Sequence, residues 1–144
     1  MAVDVVTEIE IARPRAEVAA FACDPDKATR WYANIESVEW RTPPPLAVGS
    51  RLKFVARFLG RRLAYTYEVR EHVEGERFVM STAEGPFPME TTYAFEDGPA
   101  GTRMTLRNRG EPSGFAKVGA PLMERAMRRA NQADLRRIKG LLEA

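Results

Sequence analysis

Residues 51–69 read RLKFVARFLGRRLAYTYEV, and this stretch decides the fold. Apolar and polar residues alternate on both sides of Gly60, which is typical of two β-strands that each bury one face. Glycine suits the first central position of a type II′ hairpin turn, so the sequence predicts a turn centred on Gly60 and Arg61. Residues whose numbers sum to 121 then face each other, and Lys53 meets Glu68 on the outer face. The predicted inner pairs are Phe58–Leu63, Ala56–Tyr65, Phe54–Tyr67 and Leu52–Val69.

The segments around this hairpin predict a sheet that wraps around one long helix. An alternating strand covers residues 3–11, and Pro14 and Pro25 then mark the starts of two short helices. Alternation returns over residues 35–111, where no stretch has helical periodicity. The period changes to 3.6 after that, which predicts a long amphipathic helix at the end of the chain.

This terminal helix is predicted to present a broad apolar stripe to the sheet. Gly119 and Pro121 should break or bend its first turns, because proline removes a backbone donor and clashes with the preceding turn. The small residues Ala126 and Ala130 should leave room beneath the helix. The predicted stripe consists of Val118, Leu122, Met123, Ala126, Met127, Ala130, Ile138 and Leu142.

A second hairpin is predicted with its turn in residues 97–101, DGPAG. Its register places Thr91 opposite Asn108 on the inner face. Polar groups on an apolar wall need a hydrogen-bond partner, a water or a ligand. The other predicted pairs are Phe95–Met104 and Tyr93–Leu106 inside, and Glu96–Arg103 and Glu90–Arg109 outside.

Composition limits the classes of function. With 144 residues, of which 44% are hydrophobic, the chain is the size of one domain, residues 1–144. A net charge of +2 does not indicate nucleic acid, and the basic residues of the last helix are more typical of a solvated helix face. The apolar runs are short, and the N-terminus lacks the basic and apolar regions of a signal peptide, so we expect a cytoplasmic protein without membrane insertion.

Motifs for common metal, nucleotide and redox chemistry are missing from the sequence. There is no phosphate-binding glycine loop, no HExxH and no CxxC, so no metal and no cofactor are expected. His72 is the single histidine and is expected in a solvated turn rather than as a general base. Cys23 is expected to be a small buried residue rather than a nucleophile, because no histidine lies near it in sequence.

The predicted inner wall is richer in tyrosine and methionine than a purely structural core. Buried tyrosine hydroxyls require partners, and a curved sheet closed by one helix can hold a cavity that is open at one end. We therefore expect an apolar ligand cavity with a few polar groups. Its predicted lining is Trp40, Phe54, Phe58, Tyr65, Tyr67, Met80, Met89, Thr91, Tyr93, Met104, Asn108, Leu122, Met123 and Ala126.

Four segments carry a resemblance to a known superfamily: 5–32, VVTEIEIARPRAEVAAFACDPDKATRWY; 63–82, LAYTYEVREHVEGERFVMST; 91–110, TTYAFEDGPAGTRMTLRNRG; and 130–144, ANQADLRRIKGLLEA. Through them the chain resembles the START-like superfamily, also called SRPBCC, whose helix-grip fold is shared with Bet v 1. It is most similar to the branch of polyketide cyclases/dehydrases and lipid transport proteins. The resemblance implies an α+β fold with a seven-stranded curved antiparallel sheet around a long C-terminal helix and a hydrophobic cavity between them.

Three functions are compatible with this resemblance, because the fold alone does not choose among them. The first is cofactor-free binding of a small hydrophobic molecule, such as a lipid, a polyketide or an aromatic-ring compound. The second is a polyketide aromatase/cyclase or dehydratase, in which Tyr65, Tyr67, Tyr93 and Asn108 orient the substrate and Glu71 is the best candidate for a base.

The third is a protein-binding module similar to the co-chaperone relatives of the fold. It requires an exposed apolar patch on the outer face of the sheet, where the sequence places mainly charged residues. Dimerisation through a sheet edge or the terminal helix is left open by the sequence.

Overall fold

A computed structural model describes residues 2–112 and 118–144. Its seven strands are β1 (Val3–Ile11), β2 (Ile35–Trp40), β3 (Arg51–Phe58), β4 (Arg61–Val73), β5 (Arg77–Glu84), β6 (Met89–Gly98) and β7 (Gly101–Gly110). Its helices are α1 (Arg15–Ala22), α2 (Ala28–Trp31) and α3 (Ala120–Glu143), and a 3₁₀ turn (Pro25–Lys27) precedes α2. The strands form one antiparallel sheet in the order β1-β7-β6-β5-β4-β3-β2, which curls around α3. This is the helix-grip arrangement that the sequence predicts.

The β3–β4 hairpin forms as predicted, but its register differs by two residues. The turn is centred on Leu59 and Gly60, whose φ angles are 50° and 78°. Two positive φ angles are the signature of a type I′ turn, whose twist matches that of the flanking strands. Glycine therefore occupies the second central position, and the predicted register is wrong. The inner pairs are Leu52–Tyr67, Phe54–Tyr65 and Ala56–Leu63, and Arg51 rather than Lys53 faces Glu68. Because the shift is even, every predicted inner side chain stays on the inner face.

The β6–β7 hairpin has the predicted register throughout. Phe95 pairs with Met104, and Thr91 pairs with Asn108. The Thr91 hydroxyl donates to Asn108 Oδ1 at 2.7 Å, so each polar side chain supplies the partner that the other needs on this apolar wall.

A bulge in β4 turns the last residues of that strand around. The pairing with β5 shifts between Val69 and Glu71, which leaves Arg70 as the extra residue. One extra residue moves all following side chains to the opposite face. Glu71, predicted to point inward, therefore lies outside, and His72 turns inward, where its ring meets that of Phe78 edge-on at 5.5 Å. His72 also lies in a strand rather than in the predicted turn.

The terminal helix begins at Ala120, directly after Gly119, whose φ is 84°. Pro121 lies in its first turn, where a missing N–H is not needed, so the proline starts the helix instead of bending it. The residues that α3 buries against the sheet are Met123, Met127, Asn131, Asp134, Leu135 and Ile138.

The buried side chains form two clusters. The larger cluster includes Trp31, Phe78 and Met104 and receives Leu135 and Ile138 from the C-terminal half of α3. The smaller cluster receives Met123 and Met127 from the N-terminal half and contains Val3, Val5, Leu63 and Phe87. Across the described ranges, no helix has both the length and the apolar character needed to cross a membrane.

The observed turn generates a prediction about stability. Leu59→Asn should raise the free energy of unfolding by about 1 kcal/mol, because asparagine adopts positive φ more readily than leucine and Asn-Gly is favoured in type I′ turns. Arg61→Gly is the control, since it should be neutral or destabilising in a strand position. Urea unfolding of both variants measures the effect. A turn centred on Gly60 and Arg61 would give no gain from the change at Leu59.

Candidate ligand cavity

A cavity of about 150 Å³ lies between the N-terminal half of α3 and the concave face of the sheet. It adjoins the smaller buried cluster, and its surface is mainly apolar. Six of the side chains predicted from the sequence line it: Phe58, Tyr65, Tyr67, Met89, Asn108 and Met123.

Aromatic rings build the sheet side of the cavity. Tyr65 and Tyr67 are two residues apart on β4 and therefore share a face, with ring centroids 5.7 Å apart. Phe87 closes on Tyr65 edge-to-face at 5.6 Å. Burial raises the pKa of both tyrosines, although Thr91 partly offsets this for Tyr67. Their hydroxyls therefore stay protonated at neutral pH and can donate hydrogen bonds.

A second pair of tyrosines lies at the end of the cavity near α2. The hydroxyls of Tyr32 and Tyr93 are 2.5 Å apart, and Tyr32 stacks on Trp31 with ring centroids 4.0 Å apart. Tyr32 lines the cavity, whereas Tyr93 lies behind it in the main core. Burial raises the pKa of both hydroxyls above the usual range. This pair links α2 to the sheet and brings a phenol to the cavity surface.

Asp134 is the acidic side chain that α3 turns toward the cavity. It is 3% exposed, and its Oδ1 accepts a hydrogen bond from the Ala33 backbone N–H at 3.0 Å. Burial raises the pKa of this carboxyl to about 6, although the bond from Ala33 and the nearby charge of Arg137 both favour the ionised form. The cavity therefore contains a carboxylate that is close to its titration range at neutral pH.

Asn131 lies one turn before Asp134 and also lines the cavity. It is 7% exposed, and within the described residues its Nδ2 has no hydrogen-bond partner. A buried amide without a partner costs about 1–3 kcal/mol. A ligand that carries a carbonyl or hydroxyl oxygen would supply the missing acceptor.

Several residues predicted to line the cavity lie elsewhere. Phe54, Met80, Tyr93 and Met104 are packed in the main core, and Thr91 is buried beneath Asn108. Leu122 and Ala126 lie on the flank of α3 outside the cavity, with Leu122 58% exposed, because the helix turns Met123 and Met127 inward instead. The predicted base Glu71 lies outside as well, paired with Arg77 at 3.1 Å, because the bulge at Arg70 reverses its direction.

Trp40 lines a different pocket, of about 560 Å³, beside α1. Its indole N–H donates to Asp26 Oδ1 at 2.9 Å. His72 and Cys23 also line this pocket, and burial raises the pKa of the Cys23 thiol to about 12. The thiol is therefore protonated, as expected for a packing residue. In the part of the chain that the structure describes, no three His, Cys, Asp or Glu side chains are grouped to hold a metal ion.

The polar corner formed by Tyr32, Asn131 and Asp134 is not among the site residues predicted from the sequence. A signal was present, because Asn131 lies four residues after Met127 and four before Leu135, on the buried stripe of the helix. Polar residues on such a stripe indicate a buried polar site. The contact between Asp134 and Ala33, which are 101 residues apart, leaves no local trace in the sequence.

Comparison with known proteins identifies the family. The model of the family described as polyketide cyclase / dehydrase and lipid transport matches residues 2–143. The chain belongs to this family. Membership in the polyketide cyclase/dehydrase and lipid transport family supports hydrophobic-ligand binding or polyketide chemistry as the general function. No curated protein sequence matches the chain significantly.

Solved structures share the fold over nearly the whole chain. A START superfamily protein from Mycobacterium smegmatis has a TM-score of 0.81 at 16% identity, with 97% of each chain covered. The Zhui aromatase/cyclase from Streptomyces sp. R1128 has a TM-score of 0.80 at 16% identity, covering 99% of this chain and 94% of that one. The ginseng major latex-like protein 151 from Panax ginseng has a TM-score of 0.77 at 14% identity, covering 98% and 97%. At these identities the similarity shows the fold alone.

The buried carboxyl generates a prediction about pH. A folded pKa near 6, above the 3.8 of a free aspartate, means that between these values the folded state binds a proton that the unfolded state has lost. The contribution of Asp134 to stability therefore falls as pH rises from about 4 to 6, by up to about 3 kcal/mol. Asp134→Asn should remove this loss, so the variant should gain stability relative to the unmodified protein at pH 7 but much less at pH 4.

Urea unfolding at the two pH values measures this difference. Asp4→Asn is the control, because Arg107 lowers the pKa of Asp4, and its ionised form stabilises the fold at neutral pH. Because both pH values lie above 3.8, the value of a free aspartate, Asp4→Asn should lose nearly the same amount of stability, relative to the unmodified protein, at pH 7 and at pH 4. An equal effect of Asp134→Asn at both pH values would contradict a raised pKa.

Proposed function

We propose that this protein binds a small hydrophobic molecule in the cavity between α3 and the concave face of the sheet. The observation that carries the proposal is an apolar cavity with one polar corner, where aromatic and methionine side chains meet the buried carboxyl of Asp134 and the amide of Asn131. This amide has no hydrogen-bond partner among the described residues. A few polar groups in an apolar pocket are typical of small-molecule sites.

The size of the cavity supports a compact apolar group. A volume of about 150 Å³ is comparable to that of an engineered apolar cavity that binds benzene. One aromatic ring or a short acyl segment therefore fits in it. A larger ligand would extend beyond the cavity.

Acid–base catalysis on a polyketide is a second candidate, and Asp134 favours it. A base with a pKa near the working pH is the most effective proton acceptor, and this carboxyl has a pKa of about 6. In a dehydration, Asp134 would take a proton from the carbon beside a carbonyl and return it to the hydroxyl that leaves as water. Asn131 and Tyr32 line the same cavity and would donate hydrogen bonds to the enolate oxygen.

A protein-binding function has less support. The outer face of the sheet carries cross-strand ion pairs, which are Arg103–Glu10 at 3.0 Å, Arg107–Asp4 at 2.6 Å and Arg109–Glu90 at 2.9 Å. These pairs suit a solvated surface rather than a docking patch. A cytoplasmic location and the absence of nucleic-acid binding stay predictions, and dimerisation stays open.

Methionine methyl NMR provides a direct test of ligand binding. On addition of phenol, which has one aromatic ring, the methyl signals of Met89, Met123 and Met127 should shift, because these residues line the cavity. The signals of Met80 and Met104 in the main core should stay in place.

Paired variants of the β3–β4 hairpin test the location. Ala56→Leu fills the cavity and should weaken binding at least tenfold, whereas Ala64→Leu adds the same atoms to the exposed outer face and should have no effect. Two results would refute the cavity as the site. One is binding that leaves the methyl signals of Met89, Met123 and Met127 unchanged, and the other is binding of unchanged affinity in a folded Ala56→Leu variant.

If Asp134 is a catalytic base, its substitution should affect the reaction rate but not ligand binding. With a β-hydroxyketone that bears one aromatic ring, Asp134→Asn should reduce enone formation, followed by ultraviolet absorbance, at least 100-fold while the methionine shifts persist. The rate of the unmodified protein should rise with pH through about 6 as the carboxyl ionises. Glu71→Gln is the control and should retain full activity. Equal rates with Asp134→Asn would remove the catalytic role and leave binding intact.

A further inference from the structure

The cavity adjoins a wide groove of about 940 Å³ along the outer flank of α3. The groove lies between this helix and the tip of the β3–β4 hairpin. Asn34, Arg57, Phe58, Ala130 and Asp134 line both spaces. A ligand that fills the small cavity therefore has the groove as the place for its remaining atoms.

Two arginines of α3 line this groove. Arg125 and Arg129 are four residues apart and both exposed, so they lie one above the other on the same side of the helix. Among residues 2–112 and 118–144, neither has an ion-pair partner, whereas Arg57 on the opposite wall is paired with Glu36. Like charges at this spacing destabilise a helix, and an anion between them would relieve the repulsion.

Apolar side chains stand beside these two charges. Leu122 from α3 is 58% exposed and Leu59 from the hairpin turn is 48% exposed, and both line the groove. Large aliphatic side chains kept in water next to unpaired arginines form a surface that is apolar and cationic together. Such a surface is complementary to an amphipathic anion.

We propose that the ligand is an amphipathic anion whose apolar end fills the cavity and whose carboxylate or phosphate binds Arg125 and Arg129 in the groove. The inference rests on the proposed binding function and names its ligand class. Arginine forks bind both anions in a bidentate manner, so a free acid and a phosphate-bearing thioester share the chemistry required.

The acidic residue at the junction is more deeply buried than the two arginines. Asp134 is almost completely buried and directs Oδ1 to the Ala33 N–H, whereas Arg125 and Arg129 are exposed on the neighbouring turns. The groove therefore presents two unpaired positive charges to solvent, and the ligand's anionic end can stay partly hydrated there.

A matched pair of ligands tests the proposal. 4-Phenylbutanoate and 4-phenylbutan-1-ol carry the same ring and chain and differ in charge. Calorimetry at 50 mM salt should show at least tenfold tighter binding of the acid, and this preference should shrink as salt increases. Shifts of the Met123 and Met127 methyl signals with both compounds would show that the ring occupies the cavity.

Two double variants locate the anion site. Arg125→Gln with Arg129→Gln should abolish the preference for the acid while binding of the alcohol is unchanged. Arg128→Gln with Arg136→Gln removes the same charge from elsewhere on α3 and should keep the preference. A preference that survives the first pair of changes, or is lost equally with both pairs, would overturn the groove as the anion site.

The remaining outcomes separate the two proposals. Equal affinity for acid and alcohol, with methionine shifts present, would overturn the anion proposal and leave the binding function standing. If neither the acid nor the alcohol shifts the methionine signals, both proposals are overturned. The phosphopantetheine thioester of 4-phenylbutanoate distinguishes the two kinds of anionic ligand. Tighter binding of the thioester than of the free acid would identify an acyl group on a phosphate-bearing carrier, and weaker binding would identify a free acid. Each result supports an anionic ligand.

Discussion

The concave face of the sheet must be covered by a single helix, and the rest of the structure depends on this constraint. The C-terminal half of α3 meets it by packing, because Leu135 and Ile138 fit into a core that α1 and α2 also fill with Val18 and Trp31. Among residues 2–112 and 118–144, no further helix lies beside the N-terminal half. There the flexible side chains of Met123 and Met127 cover the sheet, and the cavity remains between them and the aromatic wall. One helix thus divides the interior into a filled end and an open end.

The boundary between the two ends is polar, and it costs stability. A carboxyl whose folded pKa is raised to about 6 destabilises the fold at neutral pH, and the unpartnered amide of Asn131 adds to this cost. Apolar side chains on the same turns of α3 would pack without either penalty. Stability lost at buried polar groups is typical of functional sites. The polar corner therefore supports a ligand site more strongly than the aromatic wall does, since aromatic side chains also serve as ordinary core.

The sequence predicted the order of elements and the β6–β7 register because both follow from local periodicity and turn composition. The β3–β4 register failed because turns at Leu59-Gly60 and at Gly60-Arg61 leave the same residues on the inner face, so hydrophobic alternation cannot distinguish them. The bulge at Arg70 was also invisible to a strict period of two, and it excluded Glu71 from the interior. For the site, the aromatic residues predicted the wall of the cavity, but they carry no information about the helix residues Asn131 and Asp134.

The position of Asp134 connects the proposed binding mode to the question of catalysis. The carboxyl lies where the cavity and the groove adjoin, so a ligand anchored at both ends passes it with the atoms between its ring and its anion. A neutral amide at that point could also accept the Ala33 hydrogen bond, and at lower cost, so binding alone does not require a carboxyl there. An enzyme acting on a carbonyl compound gains a base beside the carbons next to the charged end. The same geometry therefore limits any reaction to that segment of the ligand. The ligand atoms between the ring and the anion, rather than the ring itself, are then the part whose chemistry distinguishes a carrier from a cyclase or dehydratase.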